Sequence, residues 1–139
     1  MFHRILVPLD GTPQATVALP VACALAQAYR SQIVLFRVVD TTAKRYDAQN
    51  ELEQIAGDYA SSSLPVTTEV WIASNVAAQI SWAVAKGLGD LVVIASRRRG
   101  GTGSIADSVV ARSPVPVLVV PIDESATDWI APPALALTA

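Results

Sequence analysis

At 139 residues the chain has the length of one ordinary domain, able to bury roughly two thirds of the surface its unfolded form exposes. Hydrophobic residues make up 52% of it, yet no apolar run approaches the ~18 residues of a membrane span, and residues 1–9 are too short and too interrupted by Arg4 and Pro8 for a secretion signal. A soluble, cytoplasmic protein is expected, and the formal net charge of −2 argues against nucleic acid or a membrane surface as partner.

Residues 4–9 form the first predicted strand. Thr12 is placed to cap the following helix, with Pro13 at its first position, and Val17, Val21, Ala24, Leu25 and Ala28 fall on the face expected to meet the core. The single cysteine, Cys23, cannot form an internal disulfide and reads as a reduced packing residue. Pro20 predicts a bend inside this helix, because it removes one hydrogen bond and crowds the carbonyl four residues back. Residues 32–38 are the second strand. Ala48, Leu52, Ile55, Ala56 and Tyr59 keep helical spacing through a more polar second helix ending near Ser61.

Val66, Thr68, Val70 and Ile72 then alternate with Thr67, Glu69 and Trp71, the period of a strand with one face less buried, as at a sheet edge. Asn75 is placed to cap a third helix, which runs through Ile80, Ala83 and Val84 to a stop at Gly87. Leu91-Val92-Val93-Ile94-Ala95 is apolar without alternation, like Ile5-Leu6-Val7, so both belong at the centre of a sheet covered on two sides. A glycine-rich basic loop follows, Ser96-Arg97-Arg98-Arg99-Gly100-Gly101-Thr102-Gly103-Ser104, and leads through a short helix to Pro114-Val115-Pro116-Val117-Leu118-Val119-Val120, the last strand. Residues 1–122 are taken as the domain and 123–139 as a C-terminal tail, whose Trp129, Ile130, Leu135 and Leu137 either pack across a dimer or fray.

Five strands alternating with four helices predict an α/β fold: an open five-stranded parallel sheet with helices on both faces. Right-handed connections laid outward from the first strand, followed by a jump back across it, give the order 3-2-1-4-5. The first and fourth strands then lie side by side, and the chain leaves their carboxyl ends in opposite directions, opening a crevice that gathers Asp10, Val38 and residues 95–104. The last strand would be an apolar edge, for which pairing with the same strand of a second copy is the simplest closed solution.

The basic loop carries the chemistry. Gly100, Gly101 and Gly103 let the backbone approach a ligand closely, and Ser104 with Asp107 makes a capping-box-like helix start, where unbonded amides and the helix dipole favour an anion. A tight, well-capped turn fits the same residues. Gly101-Thr102-Gly103-Ser104-Ile105-Ala106 also fits the dinucleotide pattern G-x-G-x-x-A, with Asp123 in the place of a ribose-binding acid, but three arginines separate it from the strand it should leave directly. No Lys-Ser or Lys-Thr pair closes the loop as in a Walker sequence. Asp10 reads equally as a ribose, metal or nucleoside ligand and as a cap on the turn into the first helix. Ser96, Ser104 and Ser108 have no histidine to activate them, since His3 starts the first strand and faces the opposite pole, and no paired carboxylates or clustered metal ligands occur with usable spacing. A dedicated enzyme is not expected.

Val7-Pro8-Leu9-Asp10-Gly11-Thr12, Ala18-Leu19-Pro20, Phe36-Arg37-Val38-Val39, Asp90-Leu91-Val92-Val93-Ile94-Ala95-Ser96 and Ala106-Asp107 leading to Pro114-Val115-Pro116-Val117-Leu118-Val119-Val120 together resemble the universal stress protein family over residues 2–121. The resemblance implies a Rossmann-like fold of the adenine nucleotide alpha hydrolase-like kind and dimerisation through the last strand. One branch of the family binds ATP or a related adenine nucleotide through Gly, two residues, Gly, nine residues, then Gly and Ser or Thr. Here Ala95 takes the first glycine position, Arg98 the second, and Gly103-Ser104 the closing pair, with the loop about five residues shorter than the family form. By resemblance, Pro8 and Asp10 lie at the nucleoside end, Val38 offers backbone contacts to adenine, and Gly103 and Ser104 face phosphates. Arg98 either clashes with that pose or replaces lost amide contacts with charge.

The resemblance implies a dimeric stress-response sensor or regulator binding ATP, ADP or AMP, with magnesium possible. The alternatives are a dimeric interaction protein, its partner unknown, in which the contracted loop has closed the site, and a weak ATPase.

Overall fold

The structure, a computed structural model, describes residues 1–97 and 104–122. Its five strands are β1 (Arg4–Pro8), β2 (Gln32–Val39), β3 (Val66–Ile72), β4 (Leu91–Arg97) and β5 (Val117–Ile122), and its helices α1 (Ala18–Tyr29), α2 (Arg45–Tyr59), α3 (Val76–Ala85) and α4 (Ile105–Arg112). The strands form one parallel sheet in the order β3-β2-β1-β4-β5, as the sequence predicts. Ile5 lies opposite both Ile33 of β2 and Leu91 of β4. The first strand is therefore the middle of the sheet, and successive connections leave it in opposite directions.

Alternation along the strands separates two apolar layers. Ile5, Val7, Ile33, Leu35 and Val93 point to one side, against Ala18, Leu19, Ala22 and Ala26 of α1 and Leu52 of α2. Leu6, Val34, Phe36, Val92 and Ile94 point to the other, against Ile80 and Ala83 of α3 and Val109 of α4. Each large aliphatic chain removed from water here contributes about 1.5–3 kcal/mol before the entropy of ordering is subtracted. At the edge, β3 keeps Trp71 half-buried, its ring edge-on to Phe36 with centroids 5.1 Å apart. The other edge, β5, leaves Leu118 and Val119 exposed.

Two expectations about the first helix need correction. The buried face carries Ala18, Leu19, Ala22 and Ala26, whereas Val21, Ala24 and Leu25 are half-buried and Ala28 is exposed. Small side chains let the helix lie close on the sheet, so three alanines and Leu19 make the innermost line, with Val21 and Leu25 packed at its margin. Nor does Pro20 interrupt a helix already under way. Residues Pro13–Val17 wind as a 3₁₀ turn, capped by the Thr12 hydroxyl that accepts from the Ala15 amide, and α1 begins only at Ala18. Pro20 thus sits in the first α turn, where an amide has no intrahelical partner to lose.

The N-terminal pole of the sheet is closed by side chains. The Asp90 carboxylate accepts from the backbone amides of His3 and Arg4, and Arg4 Nη1 donates to the Gly87 carbonyl at 2.9 Å. These bonds bring the ends of β1 and β4 together and place His3 away from the strands' carboxyl ends.

Candidate functional site

A hollow of about 280 Å³ opens at the carboxyl ends of β1 and β4. The chain turns away from β1 toward α1 and from β4 toward α4, so neither connection covers the gap between the two strands. Pro8, Leu9 and Asp10 line it from β1 and the turn beyond, Ile94, Ala95, Ser96 and Arg97 from β4, Ser104, Ile105 and Ala106 from the start of α4, and Val76 and Ile80 from α3. Ala15 and Ile122 complete the wall. Most of this lining is apolar; Asp10, Arg97 and the two serine hydroxyls supply polarity, the mixture that suits an organic ligand with a charged end.

Asp10 is exposed and shaped by its own turn. Its Oδ1 accepts from the Thr12 amide at 2.9 Å and from the Thr12 hydroxyl at 2.6 Å. Both bonds fall on one oxygen, so the carboxylate caps the turn and borders the hollow at the same time. The two sequence readings of this residue are therefore compatible. Across the gap, Ser104 caps α4 by accepting from the Asp107 amide at 3.0 Å through its Oγ. That bond uses an acceptor lone pair, and among the described residues the hydroxyl proton has no acceptor. The amides of Ile105 and Ala106 belong to the first turn of α4, where backbone donors have no intrahelical carbonyl.

Of the residues singled out from the sequence, Pro8, Asp10, Ala95 and Ser104 are brought together here. Val38 is not: the hollow lies between β1 and β4, while Val38 sits on β2, on the far side of β1, paired with Trp71 and packed into the core beneath α3. Arg98, Gly100, Gly101 and Gly103 lie outside the described residues. Arg97, within the 95–104 segment expected at the crevice, lines it at the end of β4. Sequence reasoning passed over Ile122, Val76 and Ile80, aliphatic residues that carry no signal separating a pocket wall from a core.

Asp10 is the only carboxylate bordering the hollow among the described residues, and no group of three His, Cys, Asp or Glu among them could hold a metal ion. The arrangement provides a carboxylate at one side, a guanidinium and a capped helix start at the other, and an apolar floor between.

No curated protein matches the chain in sequence. A universal stress protein solved in complex with cAMP is 20% identical, with a TM-score of 0.71 over 88% of this chain and 98% of that one. A universal stress protein from Lactobacillus plantarum is 24% identical, with a TM-score of 0.66 over 85% and 97%. The universal stress protein from Archaeoglobus fulgidus, solved in complex with dAMP, is 13% identical, with a TM-score of 0.69 over 84% and 96%. The family model of the universal stress proteins matches residues 1–121. With the five-stranded sheet in the order 3-2-1-4-5, this match establishes that the chain belongs to the universal stress protein family.

Proposed function

We propose that this chain binds an adenine nucleotide, ATP, ADP or AMP, in the crevice between β1 and β4, and acts in the cytoplasm as a dimeric stress-response sensor or regulator without turning the nucleotide over. The observation that carries the reading is the convergence of Asp10 with Ala95 and Ser104, from two distant parts of the sequence, on one hollow. That two similar folds were solved with cAMP and dAMP supports the same ligand class.

The roles follow from the chemistry of the lining. Asp10 Oδ2, the oxygen not engaged by Thr12, accepts from a ribose hydroxyl. Ile80, Ile94 and Ala106 supply the apolar surface for the nucleoside. Phosphates point toward the start of α4, where the Ser104 hydroxyl and the first-turn amides donate and Arg97 offsets their charge. Magnesium, if present, travels with the phosphates. Among the described residues Asp10 is the only carboxylate at the hollow, and this reading takes binding without hydrolysis. Pairing of the exposed β5 edges of two copies, through the strand that carries Leu118 and Val119, makes the dimer.

Calorimetric titration with ATP, ADP and AMP, with and without magnesium, tests the proposal. Saturable heat from at least one of them is expected, with thermal stabilisation of about 2.7 kcal/mol at a hundredfold excess over Kd. No heat and no stabilisation by any of the three would overturn it.

A further inference from the structure

We propose that Arg37, on the neighbouring strand and outside the crevice, is a positioning residue that fixes the Asp10 turn by lying flat beneath Gly11; its bearing on nucleotide affinity rests on the function proposed above. The main chain of β1 is tied to β2 as far as Leu9, whose amide donates to the Phe36 carbonyl at 2.8 Å. Beyond that bond, among the described residues, no backbone hydrogen bond joins Asp10, Gly11 or Thr12 to β2. What fixes the turn there is side-chain contact.

A β-carbon built on Gly11 would stand 2.8 Å from Arg37 Nη2, 2.9 Å from Cζ and 3.1 Å from Nη1. Nearly equal distances to the three atoms place that point over the face of the guanidinium, not at its edge. Gly11 also has φ +87°, a conformation that side chains rarely adopt, so the turn needs glycine for its backbone, and any β-carbon there would in addition displace the guanidinium. The guanidinium is itself held at its edge, where Arg37 Nη1 donates in the plane of the group to Glu51 Oε2 of α2 at 2.8 Å. The Arg37 side chain is only 19% exposed, against 53% for Glu51, so the plate is packed while its anchor reaches water. A second hollow, of about 180 Å³, lies on this side of the turn, bounded by Gly11, Thr12, Arg37 and Glu51. It leaves the turn free to sink if the plate is removed. The chain of contact therefore runs from α2 through Glu51 and Arg37 to Gly11, and from there to the carboxylate that borders the crevice.

The test uses Arg37→Met, Arg37→Lys and Glu51→Gln in the full chain, with two readouts. Hydrogen exchange of the Thr12 amide, which donates to Asp10 Oδ1, reports the turn directly; AMP titration reports the crevice. Arg37→Met is expected to speed Thr12 exchange and to raise the AMP Kd about tenfold, the lower end of what loss of a group orienting a ligand-holding residue costs. Arg37→Lys keeps the charge but has no flat group to lie under Gly11, so it should fall with Arg37→Met; rescue by lysine would overturn the argument. Glu51→Gln keeps an acceptor for Arg37 and should fall between wild type and Arg37→Met. Wild-type exchange and wild-type Kd in Arg37→Met would also overturn it. If wild type binds no AMP while Arg37→Met still loosens Thr12, the nucleotide reading fails and the positioning role stands.

Discussion

Gly89→Ala tests the adjacency of β1 and β4 on which the crevice depends. Gly89 lies just before β4, and a β-carbon there would meet Leu6 Cβ at 2.8 Å and the Leu6 backbone nitrogen at 3.3 Å. Its φ lies outside the left-handed range, so alanine is allowed conformationally and the cost is steric alone. Leu6 cannot give way cheaply: it is fully buried, lies in the middle strand, and is held in register between Val34 and Val92. Overpacking of this kind costs about 1–3 kcal/mol. For a domain of this size that lowers the melting temperature by about 3–10 °C. Gly89 lies at the pole opposite the crevice, so ligand affinity should not change. Urea or thermal melts measure the first effect and a nucleotide titration the second. Stability within about 0.5 kcal/mol of wild type, the range of an ordinary surface change, would mean that Leu6 does not stand behind Gly89 and that the two strands are not arranged as described.

Ser104→Ala removes the acceptor for the Asp107 amide and should cost about 1 kcal/mol in a chemical melt, together with weaker nucleotide binding, whereas Ser104→Asp should retain the cap. Leu118→Glu puts charge on the exposed β5 edge and should turn a dimer into a monomer by sedimentation; a wild-type monomer, or a variant that still dimerises, would refute pairing along β5. Burial pushes the Cys23 thiol above its ordinary 9.0 and, as the largest cause, pushes the Tyr59 hydroxyl above its ordinary 10.0. Both groups hold their protons more tightly folded than unfolded. Their contribution to stability is therefore complete below the unfolded values and lost as pH rises through the folded ones, so urea midpoints should fall as pH climbs past the ordinary 9.0 of the thiol and 10.0 of the hydroxyl. Cys23→Ala should lessen that fall, and an unchanged alkaline slope would contradict the burial argument.

Strand order was legible because two kinds of strand differ in sequence. Ile5-Leu6-Val7 and Leu91-Val92-Val93-Ile94 are apolar on both faces, as central strands are, and the alternating 66–72 segment reads as an edge, while the apolar last strand was placed at the other edge by the handedness of the connections. Caps were legible for the same local reason: Thr12, Asn75 and Ser104 each accept from the amide three residues on. The buried face of α1 was not, since Ala18, Ala22 and Ala26 carry little hydrophobic signal and are selected by how closely the helix approaches the sheet. Half of the site was readable, Asp10 from its place after a central strand and Ser104 from its cap. The gap that opens was legible from the strand order, but Val38 lies one strand beyond it, on β2, and does not line the hollow. Arg37 was read only as part of an apolar strand; its contact with Gly11 joins two segments whose proximity appears only once β1 and β2 are in register.

The most direct test of the crevice is to follow backbone amide resonances while AMP is added to the wild-type chain. Saturable shifts grouped on Asp10, Ala95, Ser104 and Ala106, with Asp90 and His3 at the far pole unmoved, are predicted. Shifts centred on any other surface, or no shifts at saturating nucleotide, would contradict a ligand site between β1 and β4.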